Sequence, residues 1–146
     1  EICVIIIVEQ CYFILELEPT YVKKAFEVAY DVLKTYNVQD KVTLFYNDYD
    51  TYFCVEDIVE LVTYINEGEE ANICGGIGMQ SHVDVDRPTL EEYGAAVDAF
   101  MATGLEVQVT ELDATINFDH VSTYSYKNEG QTDVRGSDCE SAALCL

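Results

Sequence analysis

LEVQVTELD, residues 105–113, is the stretch that decides the fold. Leu105, Val107 and Val109 alternate with polar residues, and the run closes on two carboxylates, Glu111 and Asp113. Alternation with a period of two predicts a strand with one buried face. Glu111 and Asp113, two positions apart, would then point the same way at a solvent-facing strand end. Two acids so close also suit a solvated edge or a cation site.

Working outward, the same pattern recurs twice upstream. Residues 42–45 run into Tyr46, Asn47, Asp48 and Tyr49, and residues 73–79 run into Gln80, Ser81 and His82. The second run spans a glycine-rich strand expected over 72–82, where Gln80 and His82 would share one side. Gly75, Gly76 and Gly78 lie before and within that strand, with no following Lys-Ser/Thr, so they suit close packing better than a phosphate loop. Helical spacing fills the gaps. Val22, Ala25, Phe26, Ala29, Val32, Leu33 and Tyr36 mark one face of a helix over 21–36, with Lys23, Lys24 and Glu27 outside. Val55, Ile58, Val59, Val62 and Ile65 mark a second, with Gly68 near its C-cap. Thr89 and Glu92 form a capping box that opens a third over 90–102; Leu90, Tyr93, Val97 and Phe100 face the sheet and Gly104 ends the helix. Strands alternating with helices predict an α/β fold with a parallel sheet. In such folds the carboxyl ends of the strands share the rim where active sites are built. Asn47, Asp48, Gln80, His82, Glu111 and Asp113 would converge there.

The ends carry less pattern. Residues 2–8 are seven apolar residues in a row, too short to span a bilayer and suited to a buried strand. Residues 119–132 read as a polar loop with Tyr124 and Tyr126. The first residues carry no basic leader pattern. The 146 residues have room for one modest domain. Seven basic against 28 acidic side chains, a formal charge of -21, argue against nucleic acid or an anionic membrane as partner and leave a neutral polymer unaffected. The six cysteines form no C-x-x-C or Cys/His cluster, which argues against a zinc site. Cys54 and Cys74 read as packing residues.

The segments LFYNDY (44–49), GIGMQSH (76–82) and GLEVQVTELD (104–113) together resemble three consecutive motifs of glycoside hydrolase family 10, the retaining endo-β-1,4-xylanases. The resemblance covers residues 21–118, with ragged ends at 1–18 and 134–146. It implies a (β/α)8 TIM barrel with only the central strand-helix units clearly represented, so that residues 1–146 read as a single partial catalytic domain. It implies Glu111 as nucleophile, His82 and Asp113 as its support, and Asn47, Tyr49 and Gln80 as substrate-binding residues. Donors around a carboxylate favour the charged form that a nucleophile needs. Without the resemblance, Asn47 and Tyr49 read first as a strand end followed by a turn, and His82 as a hydrogen-bonded rim residue. Asp50 stands where the family often has a second Asn.

A retaining glycosidase also needs an acid/base carboxyl about 5–5.5 Å from the nucleophile. The family carries it in a Trp-x-x-x-Asn-Glu-like motif, which is not found in this chain. Glu1 and Glu9 are the nearest candidates. The expected function is therefore xylan hydrolysis with Glu111 as nucleophile, the alternative a non-catalytic relative that binds β-1,4-linked polysaccharide. An acidic flavodoxin-like or cation-binding α/β domain is a third class. The resemblance implies no cofactor and no metal. It implies an extracellular place of action, since the polymer cannot enter cells. A barrel piece with open sheet edges would be marginally stable or self-associating.

Overall fold

The computed structural model describes residues 2–7, 19–85 and 87–115. Valine, threonine and aromatic residues suit a pleated, half-buried surface, and Val42–Asp48 forms the strand β2 at the middle of the sheet. Ahead of it lie β1 (Ile2–Ile7) and α1 (Pro19–Thr35). After it come a 3-10 turn (Thr51–Phe53), α2 (Val55–Asn66), β3 (Gly76–Met79), β4 (His82–Asp84), α3 (Leu90–Ala102), β5 (Glu106–Val109) and β6 (Asp113–Thr115). The main sheet has the order β1-β2-β3-β5, and every pairing in it is parallel. Parallel neighbours need long crossovers, and a helix lies between each successive pair. The expected α/β alternation is therefore present, and the described strands form an open sheet. No helix among the described residues is long and apolar enough to cross a membrane.

The helix-side face of the sheet carries the core. Leu44 and Tyr46 of β2 and Ile77 and Met79 of β3 pack with Phe26, Ile58, Val62 and Phe100 from the three helices. On the other face, Phe45 and Asn47 are registered against Gly76 and Gly78. A Cβ on Gly76 would collide with the Phe45 ring, and one on Gly78 with Asn47 Oδ1. Glycine is required here by close approach, as the sequence suggested.

The helices stand close to their expected bounds. The Thr89/Glu92 capping box is formed, and Gly68 and Gly104 sit at positive φ just past α2 and α3. Their apolar faces are narrower than the periodicity implied: Val32, Tyr36 and Leu90 are exposed. Leu90 is the first residue of α3 and has no preceding turn to lie against. Lys23 is not a solvated residue. Its ammonium donates to the carbonyls of Tyr64 and Glu67, satisfying the last turn of α2 from α1.

Three further readings are corrected. Residues 105–113 are not one buried strand: β5 stops at Val109, itself half exposed, and Asp113 begins β6 in a separate two-stranded sheet with β4. The expected strand over 72–82 is only β3, because Ser81 at φ 64 takes the chain out of extended geometry before His82 opens β4. Gln80 and His82 therefore do not share one strand. Cys54 is not a plain packing residue but is disulfide-bonded, to a cysteine outside the described side chains. Cys74 is free, and burial pushes its thiol up to about 11. Glu1, Glu9 and the 119–132 loop lie outside the described residues.

Candidate functional site

The site begins where β3 ends. Ser81 Oγ donates to the Met79 carbonyl at 3.1 Å and lies 2.6 Å from the Tyr93 hydroxyl of α3. With its proton committed to Met79, Ser81 accepts from Tyr93, and the left-handed turn is held from both sides. Backbone bonds then carry the pairing past the strands. The amide of Gln80 donates to Asp48 at 3.0 Å, Thr110 to Met79 at 2.9 Å, Glu111 to Gln80 at 3.1 Å and Asp113 to Ser81 at 3.3 Å. This lacing sets residues 110–113 beside the 79–82 corner although they belong to no common strand.

The side chains follow from that register. His82 pairs with Asp113 across β4 and β6, and its Nδ1 lies 3.1 Å from Asp113 Oδ2. Its Nε2 faces Glu111 Oε2 at 3.6 Å. From the other direction Asn47 Nδ2 donates to Glu111 Oε1 at 3.3 Å. Thr110 Oγ1 donates to Asn47 Oδ1 at 2.6 Å, which fixes the amide with its N–H side toward Glu111. The carboxylate of Glu111 thus meets an amide on one oxygen and an imidazole on the other, with its side chain 40% exposed.

A cavity of about 900 Å³ opens beside this group, lined in part by Tyr49, Tyr52, Gln80, His82 and Asp113. Asn47 and Glu111 are not in its wall and join it through His82. Of the seven residues singled out from the sequence, the structure brings Asn47, His82, Glu111 and Asp113 into direct contact, places Tyr49 and Gln80 on the cavity wall and buries Asp48 behind it. Tyr52 is held in place by its hydroxyl, whose single proton is shared between the His82 carbonyl and Asp50 Oδ1, each at 3.0 Å. Burial raises that hydroxyl well above the ordinary tyrosine range. Behind the wall, fully buried Tyr46 donates to fully buried Asp48 at 2.7 Å.

Sequence reasoning did not single out Thr110, Tyr52, Ser81 or Tyr93 for this arrangement. Tyr52 follows the strand end as one of the chain's eleven tyrosines, and Thr110 is an ordinary strand former inside the quoted stretch. Asp50 was flagged as an Asn position of uncertain contact. Its carboxylate accepts from Tyr52, and its backbone is left-handed at φ 49, a conformation Asp tolerates.

Comparison with known proteins places these residues in context. The sequence profile of glycosyl hydrolase family 10 matches residues 8–139. Endo-1,4-beta-xylanase A of Butyrivibrio fibrisolvens is 47% identical over 108 residues, 73% of this chain and 26% of that protein. Among solved structures, the GH10 xylanase of Thermobacillus composti superposes with a TM-score of 0.60 at 27% identity, over 84% of this chain and 38% of that one. A glutamate-to-alanine mutant of the intracellular xylanase of Thermoanaerobacterium saccharolyticum, in complex with xylotetraose, does so with a TM-score of 0.58 at 29% identity, over 75% of this chain and 32% of that one. The chain spans about a quarter of the length of the Butyrivibrio relative.

Proposed function

The chain belongs to glycosyl hydrolase family 10, and from that premise we propose that it carries the nucleophile side of a retaining endo-1,4-β-xylanase site acting on xylan. The family fold is the (β/α)8 barrel, of which the described residues supply four neighbouring parallel strands and the helices between them. The observation that carries the reading is the setting of Glu111, touched by Asn47 and His82 at the carboxyl ends of adjacent strands.

In this reading a Glu111 oxygen forms a bond to the anomeric carbon as the bond to the leaving glycosidic oxygen breaks, giving a glycosyl-enzyme. The leaving oxygen takes a proton from an acid. Water then attacks the same carbon, gives its proton to the conjugate base and frees Glu111. Asp113 orients the His82 ring, whose Nε2 faces Glu111 Oε2 at 3.6 Å, and Asn47 donates to Oε1. Tyr49 presents an aromatic face and Gln80 an amide to sugar on the cavity wall. The acid/base is assigned to no described residue. Action outside the cell belongs to the same proposal for the polymer itself, which cannot enter cells, whereas the neighbour from Thermoanaerobacterium saccharolyticum is intracellular.

The second reading is binding without cleavage, and the acid/base is assigned to no described residue in either reading. Reducing-sugar release from xylan, and aryl release from an activated xylobioside that needs little acid help, separate the two. Xylan cleavage that falls at least about a thousandfold in Glu111→Gln supports the full mechanism. Cleavage of the activated substrate alone means a nucleophile without its acid. No cleavage of either by the unaltered chain, with retained xylan binding, supports the second reading.

A further inference from the structure

The cavity wall holds a cation that the chemistry above does not use. Arg87 lines the same cavity as His82 and Asp113. Its backbone is fixed by a pair of bonds to Asp84, N to O at 3.2 Å and the reverse at 2.7 Å. Its guanidinium lies over the ring of exposed Phe53, 5.0 Å from the centroid. Among the described residues that guanidinium forms no ion pair within 4 Å, its charge being felt at longer range by Glu92, although the chain carries 28 acidic side chains. The other described basic residues, Lys23, Lys24, Lys34 and Lys41, lie in α1 or just ahead of β2 and line no part of the cavity.

An uncharged xylose chain offers hydroxyls and no formal charge for a guanidinium to pair with. A guanidinium resting on an aromatic ring keeps its N–H edge free, and that edge matches a carboxylate as a two-pronged donor. We propose that Arg87 is a docking point for a carboxylate branch of the substrate, so that the site prefers xylan bearing uronic-acid side groups over the same polymer without charge. The proposal rests on the xylan reading above and goes beyond it by naming the decoration. Asp50, Asp84 and Asp113 face the same cavity and oppose an anion. The preference is therefore small, that of one solvent-exposed ion pair at a rim, about two- to fivefold in KM, and weakens with salt.

The test compares glucuronoxylan with the same preparation after chemical reduction of its carboxyls, which keeps the branches and removes their charge. The ratio of KM for the two polymers is read for the unaltered chain, Arg87→Gln and Arg87→Lys, in low and high salt, with thermal melting as a check on folding. The expected result is a two- to fivefold preference for the charged polymer, collapsing to about one in Arg87→Gln and in high salt, and partly kept in Arg87→Lys. A ratio near one in the unaltered chain overturns the proposal. So does a ratio unmoved by Arg87→Gln, or a variant that weakens both polymers alike, as a purely structural prop on Phe53 would. If neither polymer is cut, the catalytic reading is what has failed, and retardation of the chain in gels containing each polymer reads the same ratio. Equal retardation, or none in either gel, overturns the Arg87 proposal.

Discussion

The corner where β2 and β3 end and the rim where β5 runs into β6 hold the two halves of one site, and they are built in opposite ways. At the corner Asn47, Asp48 and Ser81 are fully buried and Gln80 is 5% exposed. At the rim the side chains of Glu111 and Asp113 are 40% and 67% exposed, and Val109 and Leu112 face solvent. β5 is bonded to β3 on one side and, among the described residues, to no strand on the other. The carboxylates of Glu111 and Asp113 therefore sit on the looser half, where half-exposed His82 bridges them, and take their geometry from the tighter one through Asn47 and the backbone bonds to residues 79–81. Preorganisation resides in residues that themselves need not touch the reacting atoms.

The most damaging way to test this asymmetry is Gly78→Ala. The added Cβ would strike Asn47 Oδ1 and displace the amide that joins Thr110 to Glu111. The expected cost is about 1–3 kcal/mol of stability and, on the proposed function, a fall of about a hundredfold in glycosidase turnover, read by urea denaturation and substrate release. Gly94→Ala is the control: the new Cβ in α3 meets open space, and removing a helical glycine should gain about 0.5–1 kcal/mol. Equal behaviour of the two variants would mean that the corner does not set the rim.

A smaller effect is expected from pH. In the folded corner Cys74 is pushed up to about 11 from 9.0 by burial, and Tyr46 is raised above its ordinary 10.0 by burial first and the Asp48 charge second. The folded state thus keeps protons that the unfolded chain releases. This stabilisation is fully present below pH 9 and is lost as pH rises through the folded values. The urea midpoint should fall between pH 9 and 11 by the equivalent of about 3 kcal/mol, with the lower part of the slope flattened in Cys74→Ala. A midpoint that stays level over that range would show the corner to be wetter than its burial implies. The exposed capping box behaves oppositely: Glu92 is lowered by its bonds from Thr89, so its contribution is lost as pH falls below 4.5. Least of all should come from the rim surface, where Leu112→Ser is expected to move stability by no more than about 0.5 kcal/mol. A larger loss would mean that Leu112 is covered in solution.

What was legible in the sequence divides along a similar line. Helix α3 could be read to its terminal residues because its signals, Thr89, Glu92 and Gly104, are local. The break in residues 105–113 could not, because it is set by bonds to Met79, Gln80 and Ser81, some thirty positions earlier. Asn47, His82, Glu111 and Asp113 were found through motif order, and the contacts among three of them follow from strand register. Thr110 and the Tyr93–Ser81 contact act across elements and leave no periodic trace. Val32 and Leu90 show the reverse error, since spacing counts every apolar residue on a helix face while burial depends on what stands opposite. Cys54 could not be paired from sequence because pairing depends on which cysteine folding brings near.

Tyr52, with its hydroxyl shared between Asp50 and the His82 carbonyl and its ring 5.8 Å from that of Tyr93, has an optical consequence. The chain has no tryptophan, so its ultraviolet emission comes from tyrosine. With Tyr49 and Tyr52 on the cavity wall, part of that light originates where sugar would lie, and occupancy can be followed in the unlabelled protein.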